Sequence, residues 1–399
     1  MHKNFNFFVA SSALSLLGIE IYHIALPLLA LSLGLDPVEI SWCVFAFYSP
    51  VIFIKIVSST FIEKTDKICT LKISETGRML CTILFIVCLK LVHDYGLPVI
   101  LLISFLYGIF TVFTEVAEPV VIKNLIQGQK STTSLSTYEI RTRAVQLLAP
   151  ALCGYLIAVD GFLPYYLLLM LSFLALFFLS FIKIKEPAQI INMKSGITTD
   201  IHHALRWLSS HRLFSLMILL TAINNFLHPV LYLTVIWELR EQSNAFEITG
   251  LVLSGLGAGG LIGSILARKI INQLNFRKLV LVINILRVVV FAGFIVSANP
   301  VWMFVLFVFK AILGGVWNVG YNVFTIQEMP AALAARISAI SGTFVKLSAG
   351  LGSLVAGYML VLAGSTTTLF ILVFLTLFML SLSFICKDEY QRYSVSRSD

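Results

Sequence analysis

Apolar positions along this chain follow neither the alternation of a half-buried strand nor the one-sided stripe of a surface helix. They run for twenty residues or more, break at short polar loops, and resume. About 20 apolar residues make a helix long enough to cross the hydrocarbon of a bilayer, since each residue rises about 1.5 Å. The breaks predict twelve such helices, over 5–33, 40–62, 70–92, 97–122, 141–159, 163–184, 213–237, 248–272, 278–298, 300–326, 336–361 and 366–386. The first is too long for the core of a signal peptide and is kept as a span.

The longest polar interval, Lys183 to Arg212, separates two sets of six spans. The expected organisation is therefore an all-α membrane protein: an N-terminal bundle (1–184), a cytoplasmic linker (185–212) and a C-terminal bundle (213–399). Within the linker, Ala204, Leu205, Trp207 and Leu208 fall on one side of a helical pattern, as in a helix lying on a membrane surface.

Composition agrees with the pattern. The chain is 58% hydrophobic and 12% charged, against about a quarter charged in soluble domains. Its net charge of +8 sorts by topology. With both termini cytoplasmic, 22 of the 28 Lys and Arg residues, Arg78 and Arg141 among them, fall on the cytoplasmic side. Only Lys90 and Arg240 fall outside, and Lys55, Arg287, Lys310 and Lys346 lie within spans. The excess positive charge thus implies no nucleic-acid partner.

Several chemistries are not expected. Cysteines sit in or at the ends of spans, except Cys69, without metal-type spacing. His202, His203 and His211 lack a carboxylate or thiolate companion for a metal. The segment GLGAGG, Gly255 to Gly260, matches a dinucleotide fingerprint but lies in a span with no preceding strand. Gly255, Gly259 and Gly263, spaced by four, read instead as a smooth strip for a neighbouring helix. No paired nucleophile and base appears within a span, so neither an enzyme nor a cofactor is expected.

Charges inside spans are where function is expected. A carboxylate at the bilayer centre costs about 2.5 to 3.5 kcal/mol even on the lenient insertion scale, so it is kept for a purpose. Glu20 falls near mid-depth in the first span. Glu115 and Glu118, in TVFTEVAEPVVIKN, share a helix face by their i, i+3 spacing, and Glu118 precedes Pro119. His228, before Pro229, falls toward the outer end of the seventh span, a position suited to the interface.

The two halves echo each other. LYGIFTVFTEVAEPVV in span four and LGGVWNVGYNVFTIQ in span ten both begin with glycine and carry polar residues at helical spacing. LLGIEIYHIALPLLALSL in span one, HHALRWLSSHRLFSLMILLTAINNF leading into span seven, TGLVLSGLGAGGLIGSILARKI and RISAISGTFVKLSAGLGSLVAGYML carry a resemblance over nearly the whole chain. The chain resembles the major facilitator superfamily, specifically its bacterial drug-efflux branch that includes macrolide exporters and antibiotic self-immunity exporters.

Two motifs of that family stand in altered form. SSTFIEKTDK places Glu63, Lys64, Asp66 and Lys67 where a charged cytoplasmic latch is found, with lysine in place of the bidentate arginine. VQLLAPALCG keeps Pro150 and Gly154 of the helix-five exporter motif, with Val145, Ala149 and Cys153 at its glycine positions.

The resemblance implies a central cavity lined by helices one, four, seven and ten. That places Glu20, Glu115, Glu118, Asn224, Asn225, His228, Lys310, Asn318 and Asn322 on cavity helices, with Lys346 on the adjoining helix eleven. Glu20, then Glu115, then Glu118 are the expected proton-coupling carboxyls, and the alternative for each is an ion pair with Arg141, Arg143 or a membrane lysine. The implied function is proton-coupled export, by alternating access, of a drug or secondary metabolite from a bacterial inner membrane, by a monomer. Peptide or nucleotide-peptide antibiotics of the microcin C kind are among the expected substrates, because Lys310 and Lys346 favour an anionic or zwitterionic cargo. An uptake symporter is the alternative.

Overall fold

The computed structural model describes residues 2–51, 54, 65–91, 96–126, 131–182, 197–242, 246–330, 333–385 and 390. Every element among them is helical: α1 (His2–Ser32), α2 (Pro37–Tyr48), α3 (Lys67–Leu91), α4 (Gly96–Ile126), α5 (Ser131–Val159), α6 (Leu163–Ser180), α7 (Ile197–Ser210), α8 (Arg212–Glu241), α9 (Phe246–Gln273), α10 (Phe276–Val296), α11 (Pro300–Glu328) and α12 (Ala334–Leu382). α7 falls within the linker interval. α12 makes two crossings, because Gly364, at φ 77°, turns the chain between the eleventh and twelfth spans. The fold is an all-α membrane protein of twelve crossings in two sets of six.

Loop chemistry sets the helix starts. After α1, Gly34 at φ 81° reverses the chain. Asp36 then caps α2: its carboxylate accepts from the Glu39 N–H at 2.8 Å, while the Glu39 carboxylate accepts from the Asp36 N–H at 2.9 Å. Asn275 and Asn299 cap α10 and α11 in the same way, accepting from Lys278 N–H at 3.0 Å and Val301 N–H at 2.9 Å.

Among the described residues, eight helices are long and apolar enough to cross on composition alone. α3 falls outside that set because Lys72, Glu75 and Arg78 lie within it, and Pro37–Tyr48 and Ala144–Val159 are shorter apolar stretches. Arg78 corrects the sequence reading. It is buried deep in α3, where it pairs with Glu75 and donates to Ser15 Oγ at 2.7 Å, rather than facing the cytoplasmic loops. The i, i+3 spacing of Glu75 and Arg78 was the signal that could have found this pair.

Packing uses small residues, as expected where lipid removes most of the hydrophobic drive between helices. Gly255, Gly259 and Gly263 lie against the α11 backbone at Phe304, Val308 and Ile312. In the N-terminal half the Tyr22 and Tyr107 rings stack with centroids 3.8 Å apart, and the Tyr22 hydroxyl bonds Ser104 at 2.9 Å. Trp207 and Leu208 of α7 pack toward the C-terminal half, where Trp207 meets Phe214, while Leu205 stays exposed.

The halves touch along two seams, α5 with α9 and α2 with α12. At the first, a Cβ on Gly154 would fall 2.5 Å from the Gly250 Cα, so the two backbones are in contact. At the second, Gly357 abuts the Pro37 carbonyl and the Trp42 indole donates to the Tyr358 hydroxyl at 3.1 Å. Both contacts lie toward the end of the molecule where α1 ends and α2 begins, away from the basic loops. Gly250→Val should therefore wedge that side open. A cysteine replacing buried Ser254, one turn along α9, should then react with a soluble maleimide several-fold faster in a cysteine-free background; an unchanged rate would show that the seam does not depend on the glycine contact.

Candidate functional site

Between the halves lies a cavity of about 440 Å³, lined from α1, α2, α4, α5, α8 and α12. Its N-terminal wall carries Glu20, Glu115 and Glu118, with His23, Tyr48 and Gln146. Its C-terminal wall carries Asn225, His228, Tyr232 and Lys346. Carboxyls thus line one wall, and an imidazole and a cation stand on the other.

The three glutamates have different surroundings. Glu118 is held by Arg141 at 2.5 Å and by the Tyr138 hydroxyl at 2.7 Å, with the Arg141 guanidinium 4.0 Å from the centre of the Tyr138 ring. Glu115 pairs with Lys346 of α12, across the two halves. Glu20 is in hydrogen-bonding reach of Gln146 and feels the charge of Lys346. Two of the ion-pair alternatives for the glutamates are therefore present in the structure.

His228 is not interfacial. It lines the cavity, and Lys310 lies behind it, with Nζ 2.7 Å from its Nδ1. An ammonium donating to Nδ1 fixes the tautomer that carries its hydrogen on Nε2. Lys310 therefore acts on the cavity through the imidazole and is not itself a lining residue.

The expected cavity face of span ten differs in the structure. Asn224, Asn318 and Asn322 are not among the lining residues either. The Trp317 indole turns toward α8, donating to Thr221 Oγ1 at 3.1 Å. One residue further along a helix is about 100° of rotation, which points Asn318 elsewhere, and Asn322 shares its face four residues on; both are exposed. Asn225 does line the cavity, and its side-chain N–H donates to the Thr221 carbonyl at 2.8 Å.

Other groups were not singled out in the sequence. His23 sits three residues from Glu20, on the same helix face; it bonds the Tyr48 hydroxyl at 3.0 Å and stacks with Tyr232 at 6.0 Å. Its spacing from Glu20 could have identified it. Gln146 and Tyr232 carried no signal of their own among many uncharged residues. Arg287, read in the sequence as a cation within a span, is buried; it donates to Asn284 Oδ1 at 2.9 Å and lies 5.0 Å from the Trp317 ring centre, a cation–π contact that no spacing predicts.

The family motifs are engaged as follows. Pro150 and Gly154 form the α5 side of the seam with α9, the Pro150 carbonyl facing Gly250. Asp66 caps α3, accepting from the Ile68 N–H at 2.8 Å, and the Lys67 ammonium donates to the Thr65 carbonyl at 2.9 Å. Glu63, Lys64 and Lys55 lie outside the described residues. His211 stacks on Trp207 with centroids 4.0 Å apart.

The Glu118–Arg141 pair should be structural. Leaving one member of a buried pair alone costs about 3 kcal/mol or more. Arg141→Met should therefore lower the apparent Tm in detergent, and Glu118→Gln with Arg141→Met should recover most of the loss. Equal loss in the single and double variants would exclude a coupled pair.

A family model described as Major Facilitator Superfamily matches residues 8–353. No curated protein matches the chain in sequence. Among solved structures, a mutant of the nucleoside transporter NupG superposes with a TM-score of 0.76 at 12% identity, covering 94% of this chain and 98% of its own. A D-xylose-proton symporter gives 0.76 at 14% identity, covering 96% and 97%. A bacterial homologue of the iron transporter ferroportin, in an inward-facing state, gives 0.72 at 14%, covering 96% and 98%. At these identities the likeness is one of fold. With a family match over most of its length and a charged cavity between two six-helix halves, the chain belongs to the Major Facilitator Superfamily and is a membrane transporter rather than an enzyme.

Proposed function

We propose that this transporter couples proton entry to export of a drug or secondary metabolite, as a monomer in a bacterial inner membrane with both termini cytoplasmic. The observation that carries the reading is the meeting of Glu20, Glu115 and Lys346 in one cavity between the halves. Burial disfavours the charged form of a carboxyl, and a group that gains and loses a proton there exchanges it with whichever side the cavity faces. Glu118, held by Arg141 and Tyr138, is a support for α4 and α5, so the proton carriers are Glu20 and Glu115. Residues 1–184 and 213–399 rock as two bodies about the cavity, with 185–212 as tether. The basic loops at Asp66–Lys67 and Arg268–Lys278 mark the cytoplasmic face.

The resemblance to drug exporters and the helix-five residues Pro150 and Gly154 at the cross-half seam support export. An uptake symporter is the second reading, favoured by the fold likeness to a D-xylose-proton symporter. Everted vesicles separate them: an exporter accumulates substrate when the lumen is acidified, and a symporter does so in right-side-out vesicles. Glu20→Gln keeps shape and hydrogen bonding but removes the titratable proton. It should abolish gradient-driven transport at normal membrane expression, and wild-type rates with retained sensitivity to a protonophore would exclude Glu20 as a carrier.

The cargo favoured by the cavity is zwitterionic or anionic, with peptide or nucleotide-peptide antibiotics as the leading class. Its C-terminal wall offers Lys346 and the Lys310-backed imidazole of His228, and its N-terminal wall offers carboxyls for an amine. Lys310→Gln should weaken resistance to an anionic antibiotic several-fold more than to its neutral analogue, measured in an efflux-deficient host. Equal losses would make Lys310 a structural partner of His228 alone.

A further inference from the structure

Carboxyls and cations are unequally divided between the halves at membrane depth. Among the described residues of 213–390 the carboxyls are Glu238, Glu241, Glu247 and Glu328. All of them stand at helix ends, in the last turn of α8, the first of α9 and the last of α11. The cations lie deeper. Lys346 meets Glu115, but Arg287 of α10 and Lys310 of α11 have no carboxylate partner among the described residues. Leaving a buried cation without a counter-charge is costly.

Local contacts hold these two cations without neutralising them. The Asn284 amide donates to Ser383 Oγ at 2.7 Å, which turns its carbonyl oxygen toward Arg287 Nη1 at 2.9 Å. The guanidinium lies 5.0 Å from the Trp317 ring centre. Its Nη2 is buried and makes no hydrogen bond. The Lys310 ammonium carries three donors and gives one to His228 Nδ1. It also lies in the field of Arg287, so two like charges stand near one another with donors left over.

There is room beside them. Lys310, Gly314 and Trp317 follow one another at i, i+4 and i+7, and so share a face of α11. Gly314 has no atom within 4 Å of the point where its side chain would begin. By contrast, Gly255, Gly259 and Gly263 of α9 meet α11 carbonyl oxygens at 2.0 to 2.8 Å from that point. Gly314 is therefore not a packing glycine.

We propose that the C-terminal half binds a small monovalent inorganic anion, chloride by size and charge, between Arg287 and Lys310 over the open face of Gly314. Arg287 Nη2 and the Lys310 ammonium are its donors, and Trp317 forms one side of the site. One negative charge offsets one of the two cations and satisfies the free donor, as Glu75 and Glu118 do for Arg78 and Arg141 in the N-terminal half. Arg287, Lys310 and Gly314 are not among the residues that line the central cavity. The anion is thus a resident of this half and not cargo, and the proposal does not rest on proton coupling or on the direction of transport.

Thermal unfolding of the purified protein in lipid nanodiscs tests the site, in sodium chloride, sodium bromide or sodium gluconate at one ionic strength. A ligand of the folded state alone stabilises it by mass action. As chloride replaces gluconate, the wild-type Tm should rise by several degrees and level off, and bromide should act alike. Arg287→Gln removes the free donor and should make Tm indifferent to the anion. Gly314→Leu keeps both charges, fills the open face and should lose the same response. Bromide quenches indole fluorescence, so the wild type should show a saturable quenched component that Trp317→Phe lacks. If Arg287→Gln fails to fold, Gly314→Leu carries the comparison.

A wild-type Tm indifferent to chloride would overturn the proposal and leave Lys310 to shed its proton against His228. A chloride response that survives in both Arg287→Gln and Gly314→Leu would overturn the assignment to these residues. No transport is measured, so the outcome is separate from that of the vesicle experiments.

Discussion

A charged group inside a membrane has to be paired or wet, and that constraint organises this structure more than any other. Hydrocarbon offers no counter-ion, so an isolated ammonium or carboxylate at mid-depth costs several kcal/mol. The chain meets the constraint locally where it can. Glu75 and Arg78 sit one turn apart on α3, Glu118 and Arg141 join adjacent helices, and Lys310 rests on His228 within the C-terminal half. Arg287 rests on an asparagine and an indole face instead of a carboxylate. These groups are held within one half.

Two carboxyls are placed otherwise, near a lysine of the opposite half. Glu115 reaches Lys346 across the cavity, and Glu20 lies within the influence of the same lysine. A glycine seam and an ion pair differ in what breaks them. The seam at Gly154 and Gly250 is shape against shape and is indifferent to pH. The ion pair is charge against charge, and one proton removes half of it.

The charge distribution between the halves also bears on cargo. The acidic wall comes from α1 and α4, whereas the C-terminal half contributes Lys346 and an imidazole braced by Lys310. A substrate carrying both signs could replace the protein's own cross-cavity pair with contacts of its own.

The sequence by itself determined the crossings, their division into two sets of six, the surface helix and the candidate carboxyls. Those follow from local physics: run length against bilayer thickness, loop charge against topology, and the cost of Glu20 or Glu115 in hydrocarbon. The same local view misplaced Arg78, because a span boundary inferred from hydropathy cannot distinguish a buried ion pair from a loop cation. It placed His228 at the interface and gave Asn318 and Asn322 to the cavity, because helix rotation is set by neighbours such as Thr221 and Trp317 rather than by the helix alone. Only the tertiary structure decided which glutamate is braced, which is shared, and which lysine meets it. Glu118 and Arg141 are 23 residues apart in the chain and Glu115 and Lys346 lie in different halves, so their pairing depends on how whole helices pack, which no sequence spacing specifies.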